Sequence, residues 1–374
     1  MRGSHKCTFL TILIILPLFC CLTADAANFT VIKTITMETF GGCYGLAYDS
    51  AKEAVYVTNV DFDVVTVISD KTNTVVANVP VGHLPYGITY DSGKGELFVA
   101  NYGDNSVSVI SDSNNTVVAT IPVKSQPSAV AYDSATSEVF VANFNSSSVE
   151  VISDSNNTII GTITVGTQPC SLAYDSNKGE IFVGHAGSDQ VVVISDSANT
   201  VVANVTVENQ PLNLICDSGK AEIFVANHNS SSLSIISDKT NLIVATVNVG
   251  SNPIALAYDS VNSRVFAANY ISSSLSVIAD GNNTVIATIP LEGHPQGACY
   301  DSGKGEVFVT YSESTKVSVL SDSSSLTQSP IPNESSPTPT LPEFSFLMIF
   351  PLFAIVLFAA IKVILKKTNA HKNS

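Results

Sequence analysis

The stretch PYGITYDSGKGELFVANYGDNSVSVISDSNNTVVATIPV, residues 85–123, decides the fold. It holds four short runs rich in Val, Ile, Phe and Thr, at residues 86–90, 96–101, 106–111 and 116–123. Segments such as Asp-Ser-Gly-Lys-Gly and Ser-Asp-Ser-Asn-Asn join them. β-branched and aromatic residues suit a pleated strand, Gly and Asn accept positive φ, and Asp makes local side-chain turns, so the stretch reads as four antiparallel strands. The pattern recurs. Tyr-Asp-Ser begins at Tyr48, Tyr90, Tyr132, Tyr174, Tyr258 and Tyr300, with Cys216 starting the same triplet in the fifth copy. A second anchor, Val-Ile-Ser-Asp or a near variant, ends at Asp70, Asp112, Asp154, Asp196, Asp238, Asp280 and Asp322. Both anchors repeat every 42 residues through seven copies without an insertion. Four strands per repeat make one propeller blade, so the chain is expected to be an all-β, seven-bladed β-propeller.

The seventh copy has no fourth strand of its own. Residues 30–37 (TVIKTITM) match residues 74–81 (TVVANVPV), so the N-terminal strand is expected to close the last blade and remove an open sheet edge. Pro85, Pro127, Pro169, Pro211, Pro253 and Pro295 preset the backbone at the entry to each inner strand.

Around the propeller, assigned to residues 27–322, the ends read as targeting segments. Arg2 and Lys6, an apolar run at 9–22 and Ala24-Asp25-Ala26 give residues 1–26 the form of a signal peptide. Residues 323–343 are rich in Ser, Thr and Pro and read as an extended stalk. Residues 344–361 are uncharged and mostly apolar, about 27 Å long as a helix, so 344–365 is assigned as a transmembrane helix. Lys362, Lys366, Lys367 and Lys372, the last three in a basic tail at 366–374, belong in the cytoplasm, leaving the propeller outside at the cell surface. Residues 27–342 carry 11 Lys and Arg against 30 Asp and Glu, a net charge of −19, which argues against nucleic acid and anionic lipid as partners. Cys43, Cys170, Cys216 and Cys299 are too few and too irregular for a disulfide framework.

Tyr56-Val57-Thr58-Asn59 resembles the signature of the YVTN family of propeller repeats, which includes archaeal surface-layer-like proteins. The other copies are variants: FVAN at Phe98, Phe140 and Phe224, FAAN at Phe266, FVGH at Phe182 and FVTY at Phe308. The resemblance covers about 290 residues and implies a propeller displayed on the envelope. Pro342-Glu343-Phe344 before an apolar run and a basic tail is similar to the archaeal PEF-CTERM sorting signal, whose helix is removed when the protein is re-anchored. YVTN-like propellers also resemble lactonase and lyase propellers, which use acids, histidines and a divalent ion at the channel mouth.

A residue present in every blade serves the blade, so function is sought where the repeat varies. The Tyr-Asp-Ser and Ser-Asp aspartates fall at strand-to-turn joints, where a carboxylate can accept backbone N–H bonds. Loops joining strand four to strand one and strand two to strand three share one face, and their variable residues define a recognition surface. Tyr44, Phe62, Tyr86, Tyr102, Phe144 and Tyr270 fall there and offer stacking area for a glycan or an envelope protein. His83, His185, His228 and His294 map to the same face as solvated loop histidines. Asp61, Asp63 and Asp104, near Asn59 and Asn101, are the best local oxygen-ligand cluster for a Ca²⁺ cofactor; the plainer reading is exposed turn acids. Sequons for N-glycosylation occur at Asn28, Asn114, Asn145, Asn156, Asn204, Asn229, Asn282 and Asn333. No Gly-x-Ser-x-Gly elbow, phosphate-binding glycine loop or spaced His/Cys metal motif is present. The sequence therefore favours a non-enzymatic envelope component or adhesion module. A lactonase-like or lyase-like enzyme and a glycan-binding module are the alternatives.

Overall fold

The computed structural model describes residues 29–37, 42–312 and 314–322, all within the compact unit Met1–Thr327. The signal peptide, stalk, transmembrane helix and basic tail expected from the sequence lie outside the described residues, as do Asn28 and Asn333. Among the described residues no helix is long and apolar enough to cross a membrane.

The described strands form seven antiparallel sheets of four, one per repeat. In the second blade they run Pro85–Asp91, Glu96–Asn101, Ser106–Ser111 and Thr116–Pro122, each paired with its neighbour in sequence. The two middle strands are buried on both faces, and Ala54–Asn59 is buried at every position. These strands therefore read as continuous apolar runs rather than as alternating ones. The outer strands instead expose one or two Val or Ile side chains each, among them Val76, Val118, Ile160, Val202 and Val244.

The core lies between the blades. Tyr56, Phe98, Phe140, Phe182, Phe224, Phe266 and Phe308, one from the second strand of each blade, are fully buried. Each packs within an apolar cluster drawn from adjacent sheets; Tyr56, Val65 and Val67 of blade 1, for example, meet Ile88, Leu97 and Ile110 of blade 2. Every inner strand touches the inner strands on either side, and that of blade 7 (Pro295–Asp301) touches that of blade 1 (Cys43–Asp49), which closes the ring.

Closure follows the expected route. Phe29–Thr36 pairs antiparallel with Lys316–Asp322 as the outer strand of blade 7, in a register running from Phe29↔Asp322 to Thr36↔Lys316. Ile35 and Met37 are buried against Val317 and Val319 of the same blade and Cys43, Val55 and Val57 of blade 1. Phe29 reaches the other way. Its ring meets Phe266 of blade 6 edge-on at 5.1 Å, with the Arg264 guanidinium 5.3 Å from its centroid. The N-terminal strand thus contacts both neighbours of the blade it completes.

Turn chemistry separates the two faces. Where strand three meets strand four, Asn73, Asn115, Asn157, Asn199, Asn241 and Asn283 take positive φ, as the small polar side chain permits. On the other face, the loop before each inner strand bonds the loop after the second strand of the same blade, as in Tyr102 N–H to Leu84 O and Phe144 N–H to Gln126 O. Short 3₁₀ turns at Phe144–Ser146 and His228–Ser230 lie on this second face.

Candidate functional site at the channel mouth

The inner strands converge on an axial cavity of ≈ 500 Å³ whose lining carries no charged side chain. Three tiers follow from strand periodicity. The fourth residue of each inner strand, including Leu46, Ile88, Leu172 and Leu256, supplies an aliphatic floor. The third is small in most blades because the strands crowd here: a Cβ on Gly87 would stand 2.8 Å from both Ala129 Cα and Ser128 O. The second forms the mouth, and there the repeat breaks. Tyr44 and Tyr86 are followed by Ser128, Cys170, Leu212, Ile254 and Gln296.

Tyr44 and Tyr86 stack at 4.5 Å with 27° between planes, and Tyr86 stacks on Tyr102 at 4.8 Å and 25°. Phe144 extends the arc from Tyr102 at 6.3 Å, tilted by 57°. Stacked rings occupy one another's faces. Tyr86 therefore presents its edge and hydroxyl, while Tyr44, 36% exposed, is the open end of the stack. Tyr102 donates its hydroxyl proton to Gln126 Oε1 at 3.0 Å, which fixes the ring. Burial pushes the Tyr86 phenol up to about 12, helped by neighbouring Tyr44, Tyr102 and Asp61, so it stays a neutral donor at physiological pH. The result is an aromatic wall over blades 1 to 3 facing a mixed aliphatic and amide wall over blades 4 to 7.

Four of the six aromatic residues expected at the recognition face therefore come together. Tyr270 does not join them; it stacks on His294 at 4.9 Å. Phe62 stands exposed and does not line the cavity. Ser128, Cys170, Leu212, Ile254 and Gln296 complete the mouth, with Asn213 in the tier below, and no motif marks them. Alignment of the inner strands on the 42-residue period exposes them, since these positions vary while their neighbours repeat.

The carboxylates expected to share Ca²⁺ are engaged separately. Asp61 Oδ2 accepts the Gly42 N–H at 2.8 Å, Asp63 Oδ1 accepts the Leu84 N–H at 2.9 Å, and Asp104 Oδ2 accepts the His83 N–H at 2.6 Å. Each ties one loop to another. Among the described residues no group of three or more His, Cys, Asp or Glu is placed to hold a metal ion.

Only part of the histidine expectation stands. His83 is exposed and lies 3.1 Å from Asp63. His294 is exposed too, with Nδ1 2.8 Å from the Tyr270 carbonyl, so this nitrogen carries the proton. His185 differs: it takes the Asn position of the YVTN-like motif, is buried, and neither ring nitrogen has a hydrogen-bond partner. In blades 2, 5 and 6 the corresponding Asn bonds two serines, such as Ser106 and Ser108. In blade 4 Gln190 and Val192 take those places. Burial lowers the His185 pKa and keeps it neutral.

Among the described residues Cys43, Cys170, Cys216 and Cys299 are free thiols. Cys170 reaches the mouth, and its Sγ donates toward Pro211 O at 3.3 Å and Gly184 O at 3.5 Å. Burial pushes this thiol up to about 12, the reverse of what a nucleophile needs. In the native chain at pH 8, iodoacetamide is expected to label Cys170 at least ten-fold more slowly than in urea, read by peptide mass spectrometry; equal rates would overturn the assignment.

Asn114, Asn156 and Asn282 lie in exposed turns, where each Oδ1 accepts the hydroxyl of the sequon Thr116, Thr158 or Thr284 at 2.7–2.8 Å. Their recurrence has a structural cause in the turn itself. Asn145 and Asn229 are exposed on the mouth-side 3₁₀ turns, and Asn204 on an outer strand.

No family model matches the chain, and no curated protein matches it. Among solved structures the chain is similar to Kuenenia stuttgartiensis hydrazine synthase, with a TM-score of 0.67 over 76% of this chain and 96% of that chain at 16% identity. At that identity the likeness shows the propeller fold alone.

Proposed function

We propose that the chain is a non-enzymatic recognition module displayed on the cell surface, and that it binds a neutral envelope glycan at the mouth of its axial channel. The observation that carries this reading is the Tyr44–Tyr86–Tyr102–Phe144 arc bordering an uncharged cavity. Sugar rings combine apolar C–H faces with hydroxyls, and the cavity offers both counterparts: the open end of an aromatic stack, and the amide of Gln296 with the Nδ2 group of Asn213, whose Oδ1 accepts the Leu256 N–H. The resemblance to YVTN surface-layer-like repeats supports surface display, as do the signal-like N-terminus and the apolar, PEF-CTERM-like tail with its lysines. The lactonase-like or lyase-like reading needs Asp61 and His294 available at the mouth. Both are already engaged, by the Gly42 N–H and the Tyr270 carbonyl.

Cosedimentation of the full chain, extracted in detergent, with isolated envelopes of its host tests the proposal. Saturable binding is expected. Tyr44→Ala and Tyr102→Ala are each expected to weaken it about ten-fold, corresponding to loss of roughly 1–2 kcal/mol of stacking. Because Asp61, Asp63 and Asp104 serve loops, a divalent-cation chelator is expected to leave binding unchanged. No binding, or binding indifferent to both tyrosine substitutions, would sink the reading.

A further inference from the structure

On the face opposite the mouth, six seams between blades bring two aspartates together among the described side chains. The inner aspartate of one blade ends its first strand, and the outer aspartate of the next blade follows its third. Between blades 5 and 6 these are Asp217 and Asp280, and between blades 7 and 1 they are Asp301 and Asp70. All four are almost completely buried. The Tyr-Asp-Ser tyrosine of the following blade stands beside them, with Cys216 in its place at the seam between blades 4 and 5: Tyr48 donates to Asp70 Oδ2 at 3.2 Å and Tyr90 to Asp112 Oδ2 at 3.4 Å. A lysine from the preceding blade crosses the seam. Lys94, Lys178, Lys220 and Lys304 bond the backbone carbonyls of Asp154, Asp238, Asp280 and Asp70.

The inner aspartates use Oδ1 to accept turn N–H groups, as Asp217 does from Gly219 and Lys220. The fate of Oδ2 divides the seams into two sets. In Asp49, Asp91, Asp175, Asp217 and Asp301 it is buried with no hydrogen-bond partner. Each of these has Lys three residues later, preceded by Gly in the Asp91, Asp217 and Asp301 turns, by Ala in that of Asp49 and by Asn in that of Asp175. In the other two seams the lysine is replaced, and the replacement supplies a proton to this oxygen: Thr136 Oγ1 donates to Asp133 Oδ2 at 2.7 Å, and Asn262 Nδ2 to Asp259 Oδ2 at 2.9 Å. The chain thus supplies its own donor at two seams and leaves the same acceptor open at five.

We infer that the five open seams are proton-binding sites, each holding one proton between the inner aspartate of one blade and the outer aspartate of the next. Two facing buried carboxylates cannot both ionise without repulsion, and a shared proton relieves it while filling the orphaned acceptor. Burial raises the outer aspartates Asp70, Asp112, Asp154, Asp196, Asp238 and Asp280, and the facing aspartate adds to it, so the rise is common to both sets of seams and the orphaned Oδ2 is what separates them. Asp280 reaches about 6. The other groups at that seam are Lys220, which opposes the rise, Glu222, which adds to it, and Tyr258 beside the carboxylates. The sign follows. Above the folded pKa both states are ionised and the ring carries the full repulsion. As pH falls toward the unfolded value of about 4, the folded state takes up protons first, so stability from the seams rises. Lowered His185 and His228 act in the opposite direction below about pH 6.5.

Thermal unfolding of the full chain and of Asp217→Asn, from pH 8 to 4.5 at constant sodium, tests the inference. Asn keeps Oδ1 for the turn and places an N–H donor where Oδ2 is orphaned. The variant is expected to melt about 4 °C higher than the parent at pH 8, with the gap closing toward pH 4.5 as the parent gains its own proton. The histidine contributions cancel in this difference. A gap that is independent of pH, or a variant less stable at pH 8, would overturn the inference. So would a rise of the parent's midpoint at pH 8 on adding Ca²⁺ or exchanging sodium for potassium that matches the effect of acid, since the site would then take a metal cation. Should the variant fail to fold, ¹³C-carboxyl titration of the parent decides: one proton taken up by the Asp217–Asp280 pair near pH 6 supports the shared site, and two ordinary aspartate titrations refute it.

Discussion

Removal of residues 29–37 is expected to unfold the whole ring rather than fray one blade. That segment is the outer strand of blade 7, and it buries Phe29, Ile35 and Met37 against blades 6, 7 and 1. Losing a buried Phe costs about 3–5 kcal/mol and a buried Ile about 2–5 kcal/mol. The sum reaches the 5–15 kcal/mol that separates a typical folded domain from its unfolded chain. Deletion also leaves Lys316–Asp322 as a bare edge, open to association. The check is thermal and urea unfolding of the truncated chain beside the parent, with residues 29–37 added back as a peptide. A truncated chain that keeps a cooperative transition within a few degrees of the parent would show that blade 7 needs no closing strand.

Gly87→Val is expected to cost about 3 kcal/mol or more, at the upper end for overpacked interiors. The atoms its Cβ would strike belong to backbone, Ala129 Cα and Ser128 O, and cannot rotate away as a side chain tip could. The strain falls between the inner strands of blades 2 and 3, beside Tyr86, so glycan binding should weaken along with stability. Urea unfolding gives the first quantity and envelope cosedimentation the second. Stability equal to the parent's would mean that the inner strands can move apart.

The fold was legible because a single period governed two kinds of residue at once. Strand formers and turn formers kept step through all seven copies, and the unmatched strand at 30–37 showed where the ring closes. The site was legible only in part. Tyr44, Tyr86, Tyr102 and Phe144 could be placed on one face by counting, but their stacking depends on how far adjacent inner strands are rotated about the axis, which no spacing within one repeat specifies. Asp61, Asp63 and Asp104 show the reverse case. They are neighbours in equivalent loops, yet each faces a different N–H, because the loop before an inner strand comes between them. His185 ends a buried strand rather than lying in a loop, and its alignment with the motif asparagines carries that information.

The exposed β-branched residues on the outer strands recur in blade after blade around the circumference. A heptagon does not tile a plane. Rings of this kind arranged in a flat sheet meet their neighbours through inequivalent sides, so the small differences between outer strands, Val76 against Ile160 or the extra Leu242 in blade 5, become the features that distinguish one side from another.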